Sequence, residues 1–209
     1  MPDIAYDTFD SAGTTTDTSN GTGSSAVSGG NLTVTSGTGA GNRGQRRKAT
    51  QLATMADGDV FHVQAINTGG GQFTAMLVMN FTVGTSGNFR PCLAWIGNRW
   101  GGGYADRITP GDPAGLVFAP ADGKLFARVR RSGSSLVCES SATEGGTYAS
   151  FLTLSSADSY WSYDSFAIAE VFATADDRGS PASSYSFPQF GTAAVGGGSV
   201  AAVMRRRRS

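Results

Sequence analysis

Few residues in this chain have a type and spacing that could make or break bonds. Hydrolysis of a glycosidic bond needs two carboxylates, about 5–5.5 Å apart in a retaining enzyme and further apart in an inverting one. Glutamate occurs three times, at Glu139, Glu144 and Glu170, and Glu170 is followed by acids only at Asp176 and Asp177. Asp57 and Asp59 bracket Gly58 just before an apolar run, an arrangement that belongs to turn chemistry. A Ser-His-Asp or Cys-His device would have to use His62, the single histidine. That residue lies in an alternating run, where an ordinary sheet position is the simpler reading. No catalytic residue is assigned, and the expectation is a protein that is not an enzyme.

Recognition chemistry is better supplied. The stretch from Trp95 to Arg107 reads Trp-Ile-Gly-Asn-Arg-Trp-Gly-Gly-Gly-Tyr-Ala-Asp-Arg. A sugar site needs an aromatic face for the apolar side of a pyranose and planar polar groups for its hydroxyls. Asn98, Arg99, Trp100, Tyr104, Asp106 and Arg107 offer these on what reads as a Gly-rich loop, and loops on a rigid scaffold are where binding residues collect. The alternative makes Trp95 and Trp100 core residues or subunit contacts, with the glycines merely turning the chain. A second aromatic patch, Tyr160, Trp161 and Tyr163, suits an interface or a sugar, or caps one end of the core.

Composition limits the class. Gly, Ser and Thr supply 75 of the 209 residues, and only 15% are charged, below the usual quarter of a soluble domain. A coiled coil or helical bundle is excluded, and 10% aromatic content argues against full disorder. Sixteen basic and sixteen acidic residues cancel, so there is no electrostatic reason to expect a nucleic-acid partner. No run approaches 18 consecutive apolar residues, so no membrane insertion is expected. Met1 to Ala5 lacks a basic or apolar leader segment, so no signal peptide is expected. Cys92 and Cys138 lie too far apart for a metal knuckle; they read as two buried thiols on strands, with a disulfide as the alternative.

The elements that must position these groups are strands. Leu32 and Val34 alternate after a Gly29-Gly30 turn, and Phe61, Val63 and Ala65 alternate with His62, Gln64 and Ile66. Phe73 to Phe81 repeats the pattern, and Leu125, Ala127 and Val129 alternate with Phe126, Arg128 and Arg130. Leu136-Val137-Cys138 pairs naturally with that run across the turn Arg131-Ser132-Gly133-Ser134. With Leu93–Ile96, Leu116–Phe118, Phe151–Leu154 and Phe166–Phe172, about nine to eleven strands are expected and no 3.6-residue period is present. The basic cluster from Arg43 to Lys48 reads as a loop. Many short strands without helices mean an all-β antiparallel β-sandwich or a barrel. One sandwich domain is expected over residues 1–175. Residues 176–209 then form an irregular Gly/Ser/Pro-rich C-terminal extension ending in Arg205–Arg208, whose aromatics Tyr185, Phe187 and Phe190 are anchors to this domain or to a neighbouring chain.

The order of the pieces carries a resemblance. Asp7-Thr8-Phe9 opens the chain, Val27-Ser28-Gly29-Gly30-Asn31-Leu32-Thr33-Val34 follows, and Phe166-Ala167-Ile168-Ala169 closes it. Over residues 6–175 this resembles the concanavalin A-like lectin/glucanase superfamily, in its laminin-G-like and phage virion-protein versions. The resemblance implies a jelly-roll β-sandwich. The glucanases of that superfamily carry a strand of the type E-x-D-x-x-E, which has no counterpart here, so a binding or structural sandwich is implied rather than a hydrolase. Calcium is common in the superfamily, and Asp3, Asp7 and Asp10, or Asp57 and Asp59, would supply oxygens. Their spacing defines no site, so no metal or cofactor is assigned.

The reading that follows is a non-enzymatic attachment module of a phage virion, a tail, fibre or head-decoration protein. Its expected partners are a glycan or host cell surface and, through the C-terminal extension, other virion subunits in a homo-oligomer. The alternatives, in order, are a purely structural oligomeric virion protein without sugar binding, then a glycoside hydrolase or lyase.

Overall fold

The computed structural model describes residues 9, 15–38, 42–64, 66–67, 74–81, 89–96, 99–106, 114–120, 124–143, 145–155, 166–176, 184–187 and 190–191. Sixteen strands are present among them and no helix: β1 (Thr16–Asp17), β2 (Ser24–Ser28), β3 (Asn31–Thr35), β4 (Arg43–Thr54), β5 (Val60–Gln64), β6 (Ile66–Asn67), β7 (Thr74–Phe81), β8 (Phe89–Ile96), β9 (Arg99–Asp106), β10 (Ala114–Phe118), β11 (Phe126–Ser132), β12 (Ser135–Ser141), β13 (Ala149–Ser155), β14 (Ala167–Asp176), β15 (Ser184–Phe187) and β16 (Phe190–Gly191). They form three antiparallel sheets. The largest has the order β1-β4-β14-β7-β8-β9-β10, the second β13-β12-β11-β5-β16, and the third β2-β3-β15-β6.

Period-2 patterning places the core. Along β3, β5 and β11 buried and half-buried positions alternate, because successive side chains on a strand point to opposite faces. Leu32, Val34, Phe61, Val63, Ala127, Val129 and Leu136 are all at most 2% exposed. Burying each of the larger ones stabilises the fold by roughly 1.5–3 kcal/mol. The two larger sheets face each other: Gly102 of β9 lies against Cys138 of β12 and Leu152 of β13.

The turns behave as their residues require. Gly133 has φ +57° and begins a two-residue hairpin that pairs Ser132 with Ser135, the type II′ pattern that matches the twist of the strands it joins. The Asp57-Gly58 turn docks beside it. Asp57 Oδ1 accepts from Gly133 N at 2.7 Å, and Asp59 Oδ2 accepts from Ala56 N at 2.7 Å. Both aspartates thus serve turn geometry, as their spacing implies.

Three expectations need correction. The basic cluster Arg43–Lys48 is the first half of β4, not a loop, and runs between β1 and β14. A long arginine stem can be buried while its head finds a partner: Arg46 is 9% exposed and its Nε donates to Thr15 Oγ1 at 2.6 Å. The Gly-rich stretch after Asn98 is likewise strand β9, not a loop; its backbone pairs with β8 on one side and β10 on the other. Lastly, the segment beyond residue 175 is not wholly irregular. β15 pairs with β3 and β6, and β16 pairs Phe190 with Val63, so residues 184–187 and 190–191 add to two sheets of the sandwich.

Candidate functional site

Strand β9 carries four of the six residues expected to bind ligand. Arg99 is half-buried, with its guanidinium 4.2 Å from the centre of the Phe118 ring on β10. Trp100 is 1% exposed, and its carbonyl accepts from Ala119 N at 2.8 Å. An indole so covered has no open face for a sugar, so this ring belongs to the core. Tyr104 stands opposite Pro91 and Ala114, and Asp106 opposite Phe89. Asn98 and Arg107 lie outside the described residues, as do Tyr160, Trp161 and Tyr163 of the second patch.

Gly102 of β9 has a packing reason. A Cβ on Gly102 would stand 2.8 Å from Cys138 Sγ and 3.1 Å from Leu152 Cδ2, inside the distance real side chains keep. Glycine is what allows the two sheets to approach here.

A denser polar constellation lies on the five-stranded sheet, on the face turned away from the core. The register places His62 of β5 opposite Arg128 of β11, and Arg128 opposite Glu139 of β12. Glu139 is 5% exposed. Its Oε2 accepts from Arg128 Nε at 2.5 Å, and its Oε1 accepts from Arg130 Nε at 3.2 Å and Nη2 at 3.0 Å. Tyr148, just before β13, lies over Arg128, ring centre to guanidinium 4.1 Å, and meets the His62 ring edge-on at 6.0 Å. Such a cation–π contact is worth about 0.5–1 kcal/mol at an exposed position and more as water is excluded. Burial lowers the imidazole pKa to about 4, aided by the charge of Arg128 and opposed by Glu139. Among the described residues, the buried His62 Nδ1 has no hydrogen-bond partner.

The sequence held a signal for half of this cluster. Arg128 and Arg130 are the outward positions of its cleanest alternating strand, and a two-residue turn at Gly133-Ser134 sets Arg128 opposite Glu139. Nothing local announces that His62 and Tyr148 join them.

Among the described residues no group of three or more His, Cys, Asp or Glu is placed to hold an ion. Asp57 and Asp59 each accept a backbone N–H, while Asp3, Asp7 and Asp10 lie outside the described residues. Cys92 and Cys138 are both buried and free.

Solved structures share this architecture. A beta-glucanase of Bacillus licheniformis superposes with a TM-score of 0.59 at 10% identity, covering 92% of this chain and 98% of that one. A beta-1,3-glucanase from Mycobacterium marinum gives 0.59 at 10% identity, over 92% and 99% of the two chains. The exoplasmic/lumenal domain of VIP36, solved with Ca2+ and Man3GlcNAc, gives 0.55 at 9% identity, over 90% and 87%. No protein-family model matches the chain, and no curated protein sequence matches it. The chain has the concanavalin A-like jelly-roll fold that glucanases and lectins share.

Proposed function

We propose that this chain is a non-hydrolytic glycan-recognition module. The observation that carries the proposal is a glucanase- and lectin-type sandwich in which Glu139 is taken up by Arg128 and Arg130. Glu139 is the counter-ion of Arg128 and Arg130, which leaves it unfit to protonate a leaving group or attack a sugar. Glu170 sits in β14 between Ala49 and Asn80, with no acid opposite it on either side. A carboxylate committed in this way, on a fold that glucanases and lectins share, supports recognition over cleavage.

The setting we propose is a phage virion, where the module attaches the particle to a host-surface glycan. The low-charge Gly/Ser/Thr composition supports it. A structural oligomer without sugar affinity is the second reading, favoured by the burial of Trp100.

The test is binding of the purified chain to an array of glycans and bacterial-envelope polysaccharides, with calcium and with EDTA, beside an assay for released reducing ends. Specific binding without release is expected. Release of reducing ends would overturn the non-hydrolytic reading; no binding in either condition would leave the structural oligomer.

A further inference from the structure

The cluster on the outer face of the five-stranded sheet holds more hydrogen-bond donors than the fold uses. Both oxygens of Glu139 are occupied, one by Arg128 and the other by Arg130. Among the described residues, no acceptor takes either Nη of Arg128 or the Nη1 of Arg130. The two side chains remain 24% and 32% exposed, so those donors are reachable. Two guanidiniums against one carboxylate leave one positive charge in excess. His62 Nδ1 adds a buried polar atom without a partner among the described residues, a kind of group that native folds rarely leave unexplained. The arginines are held in advance. Glu139 fixes both Nε groups, and the Arg128 guanidinium sits over the Tyr148 ring, so little side-chain freedom would be lost on binding.

We propose that Arg128, Arg130, His62 and Tyr148 form a site for the carboxylate of an acidic sugar, with the guanidinium donors taking the carboxylate and Tyr148 and His62 flanking the ring. The excess charge selects an oxyanion, and planar guanidinium forks match a carboxylate well. The aromatic neighbour favours a sugar ring over a bare ion. This deepens the glycan-recognition reading and rests on it.

The experiment titrates the whole chain, by calorimetry, with uronate- and sialate-bearing oligosaccharides, their methyl esters, neutral oligosaccharides, and inorganic phosphate and sulfate. Arg130→Gln is run in parallel, since Arg128 still holds Glu139 in that variant, with its thermal midpoint measured as the folding control. An acidic oligosaccharide should bind, its methyl ester should bind much more weakly, and Arg130→Gln should lose about tenfold to a hundredfold in affinity. Equal binding of acid and ester would overturn the site, as would acidic-sugar binding that Arg130→Gln leaves unchanged. Equal binding of phosphate or sulfate would reduce it to an adventitious anion patch. Binding of neutral glycans alone would overturn this site and leave glycan recognition standing, whereas no glycan binding at all would remove both.

Discussion

Gly102 of β9 and Cys138 of β12 meet across the interior of the sandwich so closely that a Cβ on Gly102 would lie 2.8 Å from the sulfur and 3.0 Å from Cys138 Cβ. Gly102→Ala should therefore destabilise the fold by about 1–3 kcal/mol through overpacking. The loss should appear as a lower urea midpoint at unchanged slope. Cys138→Ala removes the sulfur but leaves the Cβ of that residue at 3.0 Å and Leu152 Cδ2 at 3.1 Å, so it should relieve the clash in part. The double variant should then be more stable than the two single losses predict, by about 0.5 kcal/mol or more. Strict additivity would mean that the sheets do not touch at this point.

Glu139 supports a second prediction. Its carboxylate is 6% exposed and neutralises two arginines that are themselves only partly exposed. Glu139→Gln keeps the shape and removes the charge, leaving Arg128 and Arg130 repelling each other over β12. The expected cost is about 1–3 kcal/mol, below that of a fully buried pair because both guanidiniums reach water. Replacing all three residues by Met or Leu should cost less than Glu139→Gln alone, because no uncompensated charge is left. Chemical unfolding of the two variants decides it, and a larger loss in the triple variant would contradict the account.

What the sequence made legible was local. Gly133-Ser134 and Asp57-Gly58-Asp59 announce their turns, and the alternation of Leu125–Arg130 announces both a strand and its outward arginines. The register that sets Arg128 opposite Glu139 comes from the two-residue loop at Gly133-Ser134, which the four-residue turn read from the sequence left open. Strand β9 was not legible because three successive glycines carry no period. What keeps them in a sheet is backbone pairing with β8 and β10, and what requires glycine at Gly102 is the approach of Cys138 from the opposite sheet; no window of sequence contains these contacts. Arg43–Lys48 misled for a related reason: its charges suit a loop until β1 and β14 pair with it on either side. Tyr185 and Phe187 read as anchors, and β15 does dock, but its partners are Val34 and Leu32 near the other end of the chain.

The pH dependence of stability should carry the signature of His62. Burial, then the charge of Arg128, lowers its pKa from 6.5 to about 4, while Glu139 pulls weakly the other way. Between those values the unfolded chain binds more protons than the folded one, so stability rises with pH across that window. The contribution is full above about pH 6.5, falls as pH drops towards 4, and amounts to about 3 kcal/mol at most. His62→Gln should flatten this part of the profile. Urea unfolding at several pH values from 4 to 7, wild type against variant, measures it; identical slopes would show that His62 is not the titrating group.

Asp57 is the clamp between two turns. Its Oδ1 accepts from Gly133 N, and Gly58 N donates to Arg131 O at 3.1 Å, so the β11–β12 hairpin leans on the turn before β5. Asp57→Ala should cost about 1 kcal/mol, the worth of one partly exposed capping hydrogen bond. Asp57→Asn keeps an acceptor and should lose less. Gly133→Val, at φ +57°, should cost about 1–2 kcal/mol from backbone strain. Thermal midpoints rank the three, and Asn equal to Ala would rule out the hydrogen bond as the cause.

The two thiols should be inert while the chain is folded. Cys92 and Cys138 are both 0% exposed, and burial drives both thiol pKa values upward, that of Cys138 to about 12. Thiolate is the reactive form, so neither the nucleophile nor its access is present. A chromogenic disulfide reagent at pH 8 should titrate no thiol in the native protein and two per chain in guanidinium. Labelling at low denaturant should then proceed no faster than unfolding allows. Rapid labelling of the native chain would show that the interface between β8, β9 and β12 opens on its own. Recovery of fewer than two thiols after denaturation without reductant would instead show that the cysteines had paired.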